Sequence, residues 1–86
     1  MESFEEQSLL KAVGTAIKMK RVEAGLTQEA LANGSGVARS FLSGVERGVK
    51  RATVTSLWKL ALAMNCLPSE ILATAERLQK RESNSG

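Results

Sequence analysis

The sequence predicts an all-α fold, and three observations carry that expectation. Apolar residues recur with a helical period along most of the chain, Gly, Asn and Pro interrupt them at short intervals, and no run alternates as a strand would. The chain has 86 residues, 43% hydrophobic and 24% charged, which suits one small domain with one core. No internal repeat or low-complexity segment is visible.

The elements follow in order. Over residues 7–24, Leu10, Val13, Gly14, Ile17, Arg21 and Ala24 fall on one face of a first helix. Gly14 on that face would let another element approach closely, and Gly25 ends the helix. Thr27 can cap a short second helix, Gln28-Glu29-Ala30-Leu31-Ala32, which Asn33-Gly34-Ser35-Gly36 should break. A third helix runs from about Ala38 to Arg47 and stops at Gly48. Its Phe41, Leu42 and Val45 face one way, and Arg39, Ser40, Ser43, Gly44 and Arg47 the other.

Thr53 or Thr55 starts a fourth helix with a core stripe of Leu57, Leu60, Ala61 and Met64, and Asn65 can adopt the left-handed conformation that ends it. Pro68 suits the first turn of a fifth helix, where its missing N–H has no helical partner. Ile71, Ala75 and Leu78 give that helix its buried face, and Glu82-Ser83-Asn84-Ser85-Gly86 reads as a frayed tail. Residues 1–12 form an N-terminal extension and the start of the first helix, 13–72 the domain, and 73–86 a helical extension with a flexible tail.

Composition narrows the chemistry. There is no His, Asp or Tyr, one Cys (Cys66), and every acid is Glu. That excludes Ser-His-Asp and Cys-His nucleophile systems, Cys/His zinc sites and Asp-led calcium or magnesium loops. No cofactor or metal is implied, and an enzyme is the weakest class. A single Cys cannot form an intrachain disulfide, which suits a reducing cytoplasm. Glu2, Glu5 and Glu6 give the N-terminus the wrong sign for a secretion signal, and Lys59 interrupts the only long apolar run, so no membrane partner is expected.

The net charge of +3 is uneven. Residues 1–12 are net acidic, while residues 13–51 gather Lys18, Lys20, Arg21, Arg39, Arg47, Lys50 and Arg51 against Glu23, Glu29 and Glu46. The positive centre suits an anionic partner such as nucleic acid, or it is a solvated surface.

Two helices joined by a short Gly-containing turn make a helix-turn-helix, which residues 27–47 fill. Here the chain resembles a known family. The carriers are Ile17, Arg21, Gly25-Leu26-Thr27-Gln28-Glu29, Leu31-Ala32, Gly36-Val37, Leu42-Ser43, Val45-Glu46-Arg47-Gly48, Leu57, Ala61, Met64 and Ile71-Leu72. Together, from Val13 to Leu72, they are similar to the five-helix, lambda-repressor-like domain of repressors and Cro proteins, the XRE-type helix-turn-helix family. The ordered set is specific where each piece alone is not.

Arg21 is a permanent cation on the apolar stripe, and a buried guanidinium needs a carboxylate. Glu46, at the edge of the buried face of the third helix, is the natural partner, and the resemblance implies the same ion pair. The resemblance also implies that Gln28, at the positive end of the second helix, touches a DNA phosphate. Otherwise it is simply a polar helix-starting residue. Thr27 caps and can join that phosphate contact.

Arg39, Ser40, Ser43 and Gly44 hold the positions from which similar proteins read bases. Arg39 can fork onto the O6 and N7 acceptors of guanine, while Gly44 replaces a longer side chain and would permit close approach to DNA. The two serines otherwise add only polarity to the surface. Lys50, Arg51 and Arg47 are placed for phosphate contacts, or are solvated loop charges.

Departures from the family pattern are Ala38 at the cap of the third helix, Gly34 and Ser35 at the end of the second, and Leu67 before the fifth; together they suggest modest stability. Trp58 and Leu62, off the core stripe of the fourth helix, mark either a protein interface or a cover for the fifth helix or the N-terminus. Cys66 reads as a small core residue.

The resemblance implies a cytoplasmic, nucleoid-associated regulator binding double-stranded DNA as a homodimer on an inverted-repeat operator. It would occlude a promoter or contact RNA polymerase. The chain is little more than this domain, and Arg39–Arg47 is particularly similar to restriction–modification controller proteins; a phage- or plasmid-type repressor fits comparably. An antitoxin bound to a protein toxin through Trp58, Leu62 and the fifth helix is the alternative from another class.

Overall fold

Acidic side chains near a helix start favour the positive end of its dipole, and basic ones near its end favour the negative. The first helix has both, with Glu5 and Glu6 in its first turn and Lys20 and Arg21 in its last. In the computed structural model, which describes the backbone of residues 3–85 and the side chains of residues 5–81, it is α1 (Ser3–Glu23). Four more helices follow: α2 (Gln28–Ser35), α3 (Arg39–Glu46), α4 (Val54–Ala63) and α5 (Pro68–Ser85). No strand occurs among the described residues. The fold is all-α, as the helical periodicity implies.

Each helix commits at least one large side chain to a common core. Ile17, Leu31, Leu42, Val45, Leu60 and Ile71 are fully buried, each contributing about 1.5–3 kcal/mol of apolar burial. The buried arc of α1 is wider than the stripe read from sequence, because α1 packs on both α3 and α5. Gly14 and Ile17 lie on one side; Ala12 and Ala16, also buried, lie on another, with Ala12 bordering Leu78 of α5. Ala24 is exposed beyond the end of the helix, which corrects its assignment to the core face.

Gly14 makes the α1–α3 approach possible. A Cβ there would collide with the backbone carbonyl of Val45 and lie 3.0 Å from the carbonyl oxygen of Glu46. The α2 helix runs through Asn33-Gly34-Ser35 rather than breaking there. Ser35 Oγ donates to the carbonyl of Ala32 at 3.3 Å, and Gly36, at φ 74°, closes the helix.

The N-terminus of α3 lacks side-chain capping at Ala38, as its sequence implies. That of α5 is supported in an unexpected way. Leu67 offers no side-chain acceptor, but Glu70 Oε1 accepts the Leu67 backbone N–H at 3.0 Å, half of a capping box. Thr53 caps α4, its hydroxyl accepting the Ser56 N–H at 3.0 Å. Asn65, at φ 56°, follows α4 in the left-handed conformation. The α5 helix continues to Ser85, so the frayed tail expected from Glu82 onward is helical as far as the description reaches. Cys66 is half-buried against the core, and burial, with nearby Glu70, pushes its thiol up from the ordinary range.

Candidate nucleic-acid interface

The site is built on α2 and α3, and a polar cluster fixes their relation to α1. Arg21 Nε donates to Glu46 Oε2 at 2.7 Å, and its Nη2 donates to Oε1 at 2.9 Å. This is the two-pronged geometry in which a guanidinium matches a carboxylate. Arg21 Nη1 also donates to the carbonyl of Leu26 at 2.9 Å, and Gln28 Nε2 donates to Glu46 Oε1 at 3.0 Å. The Arg21 pKa is raised by its hydrogen bond to Glu46, against the opposing effect of burial. The side chains are 12% exposed for Arg21 and 3% for Glu46. One carboxylate thus ties together the end of α1, the turn after it, the start of α2 and the end of α3.

That cluster changes the position of Gln28. One of its two amide N–H donors is engaged with Glu46, and the second remains for another acceptor. The three-dimensional return of Glu46 to Gln28 has no local signature in the sequence. Thr27 Oγ1 accepts the Ala30 N–H at 3.0 Å, capping α2.

On α3, Leu42 and Val45 are buried, while Arg39 and Ser40 are exposed and Ser43 is half-buried. Arg39, Arg47 and Lys50 are exposed and make no ion pair among the described residues. Arg51 differs: its guanidinium pairs with Glu6 in the first part of α1. The helical spacing places Gly44 on the outward face of α3, and the structure corrects that placement. Gly44 is buried, with the methylene stem of Lys50 lying over it.

Three of the proposed base-reading side chains therefore share the outer side of α3, flanked by the cations Arg47 and Lys50. A helix presenting donors and free cations, behind a second helix whose N-terminus is capped and open, can meet phosphates with one element and base edges with the other. No group of His, Cys, Asp or Glu able to hold a metal occurs among the described residues.

Residues 17–71 match the helix-turn-helix family HTH_3. The chain belongs to that family. Among its relatives is an uncharacterized HTH-type transcriptional regulator, y4dJ, of Sinorhizobium fredii, 36% identical over 66 residues, covering 77% of this chain and 86% of that protein. The helix-turn-helix chain also resembles the restriction–modification controller protein C.AhdI of Aeromonas hydrophila, with a TM-score of 0.70 and 39% identity over 72% of this chain and 94% of the other. A second controller, C.Esp1396I, solved as a tetramer with its natural 35 base-pair operator, gives a TM-score of 0.76 and 32% identity over 91% of this chain and 97% of that one.

Away from α3 lies a second feature. Trp58 is 53% exposed and Leu62 70%, and Val54, one turn before Trp58, is 73% exposed. The three repeat at i, i+4 and i+8 on one side of α4. A groove lined in part by Val13, Val54, Trp58 and Leu72 adjoins them. Val54 escaped notice in the sequence because it sits at the helix start, although its spacing from Trp58 was a usable signal. No helix among the described residues is long and apolar enough to cross a membrane.

Proposed function

We propose that this protein is a sequence-specific DNA-binding transcriptional regulator and not an enzyme. The observation that carries the reading is the outer side of α3, where Arg39 and Ser40 stand exposed on a helix locked from behind by Arg21 and Glu46. Family membership and the operator-bound controller relative support it. The names of the relatives favour regulation over the toxin-binding alternative. The DNA-binding unit comprises residues 13–72, with α1 packed on α5 beside it.

Arg39 reads guanine, Ser40 and Ser43 read neighbouring edges, and Thr27, Gln28, Arg47, Lys50 and Arg51 hold phosphates. One such helix covers only a few base pairs. A homodimer places two recognition helices about 34–36 Å apart, one turn of duplex, and so reads an inverted repeat. The Val54–Trp58–Leu62 face is the surface for that second copy, since a contiguous apolar face outside the core gains by being covered. Occupying an operator then regulates transcription by excluding polymerase or touching it from an adjacent site.

Arg39→Ala tests the assignment. Binding to the preferred site should weaken by about 1–3 kcal/mol, with binding to random duplex nearly unchanged. Equal loss on both would remove Arg39 from base reading.

A further inference from the structure

The last turn of α3 has no side chain at position 44, and the structure fills the gap from elsewhere. A Cβ built on Gly44 would lie 2.7 Å from Cγ, 2.9 Å from Cδ and 3.3 Å from Cε of Lys50. Ordinary carbon–carbon contact is about 3.5–4.0 Å, so the lysine stem occupies the volume that a residue-44 side chain would use. Gly44 is buried for that reason, although it borders the outer side of the helix.

The root of the lysine is also held. The Gly44 carbonyl accepts the N–H of Val49 at 2.9 Å and of Lys50 at 3.2 Å. A lysine on a free connector is a flexible point charge, well suited to a passing phosphate. This one is fixed to the recognition helix by its backbone and again by its stem. The apolar stem covers backbone while the residue as a whole stays exposed, the usual division in a long cationic side chain. Among the described residues its ammonium has no acidic partner.

We infer that Lys50 supplies the missing side chain of position 44 and discriminates bases, its ammonium donating to the O6 or N7 of a guanine in the major groove. Gly44 is the positioning residue that makes room for it. The inference rests on the DNA-reading function above and changes one role within it. Lys50 becomes a contact that distinguishes sequences rather than one that strengthens binding to all of them. Lysine has the donors for guanine, and the neighbouring Ser43 and Ser40 stand on the same side of the helix.

Selection of bound sites from random duplexes, run on the full chain and on Lys50→Met and Gly44→Ala, tests it. Lys50→Met keeps an apolar stem over Gly44 and deletes the charge. Gly44→Ala is favoured in a helix and displaces flexible methylenes rather than backbone, so melting by circular dichroism should show both variants folded. Both should lose preference for guanine at the same base pair, by roughly tenfold, while the position governed by Arg39 is retained. The double variant should be no worse than either single one, because both remove the same contact.

An enriched wild-type site whose profile survives Lys50→Met, with uniformly weaker binding, would overturn the inference and leave the function standing. Loss of preference at different base pairs in the two variants would also overturn it. A wild-type chain that enriches no site would overturn both.

Discussion

The Arg21–Glu46 and Arg51–Glu6 pairs join the same two chemical groups, yet their surroundings differ completely. The first is enclosed, 12% and 3% exposed, with additional bonds to Leu26 and Gln28. The second is open, 68% and 41% exposed, with water and salt free to compete. Enclosure makes the first pair a structural clamp, because either charge left alone would be stranded away from water. Openness leaves the second exchangeable, and on the proposed function a DNA phosphate would compete with Glu6 for Arg51. The same chemistry fixes α3 against α1 in one place and leaves an exposed, exchangeable pair in the other.

The largest expected effect comes from breaking the enclosed pair. Glu46→Ala should cost about 3 kcal/mol or more and lower Tm by roughly 12 °C or more in a domain of this size, measured by thermal melting. Arg21→Met combined with Glu46→Leu should recover much of that loss, since an apolar replacement strands no charge. A single Glu46→Ala chain that melts like wild type would remove the distinction between the two pairs.

The smallest effect on stability should come from Glu6→Gln. An exposed pair contributes ~1 kcal/mol or less, so Tm should hardly move. Duplex binding should tighten at low salt, and the dependence of log K on log salt should steepen by about 0.9 if Arg51 gains a phosphate. Unchanged affinity and slope would show that Glu6 does not compete with DNA.

Much of this was legible in the sequence because it is local. Helical spacing gives the five elements, and Thr27, Gly25 and Asn65 act at their ends through their own backbone and side chains. Arg21 announces itself as a charge on an apolar stripe and so demands a partner. Glu70 three residues after Leu67 was a readable half of a capping box.

What escaped depends on contacts between distant segments. The Gln28–Glu46 bond spans 18 residues and the Arg51–Glu6 pair 45. Neither has a signature in local composition. The cover of Gly44 by Lys50 requires the turn at Gly48 to fold the connector back on α3, as its N–H bond to the Val45 carbonyl at 3.0 Å begins to do. Gly34 and Ser35 looked like breakers by propensity, but tertiary packing and the Ser35–Ala32 bond carry the helix through them.

On the proposed function, α3 and the start of α2 form the face that meets duplex DNA. Backbone amide shifts in the isotope-labelled chain, followed as duplex is added at low salt, test it most directly. The largest changes should fall at Thr27 and Gln28, along Arg39–Arg47 and at Lys50, with α5 little affected. Changes centred instead on the basic stretch of α5 around Arg77 and Lys80, with α3 unmoved, would contradict it.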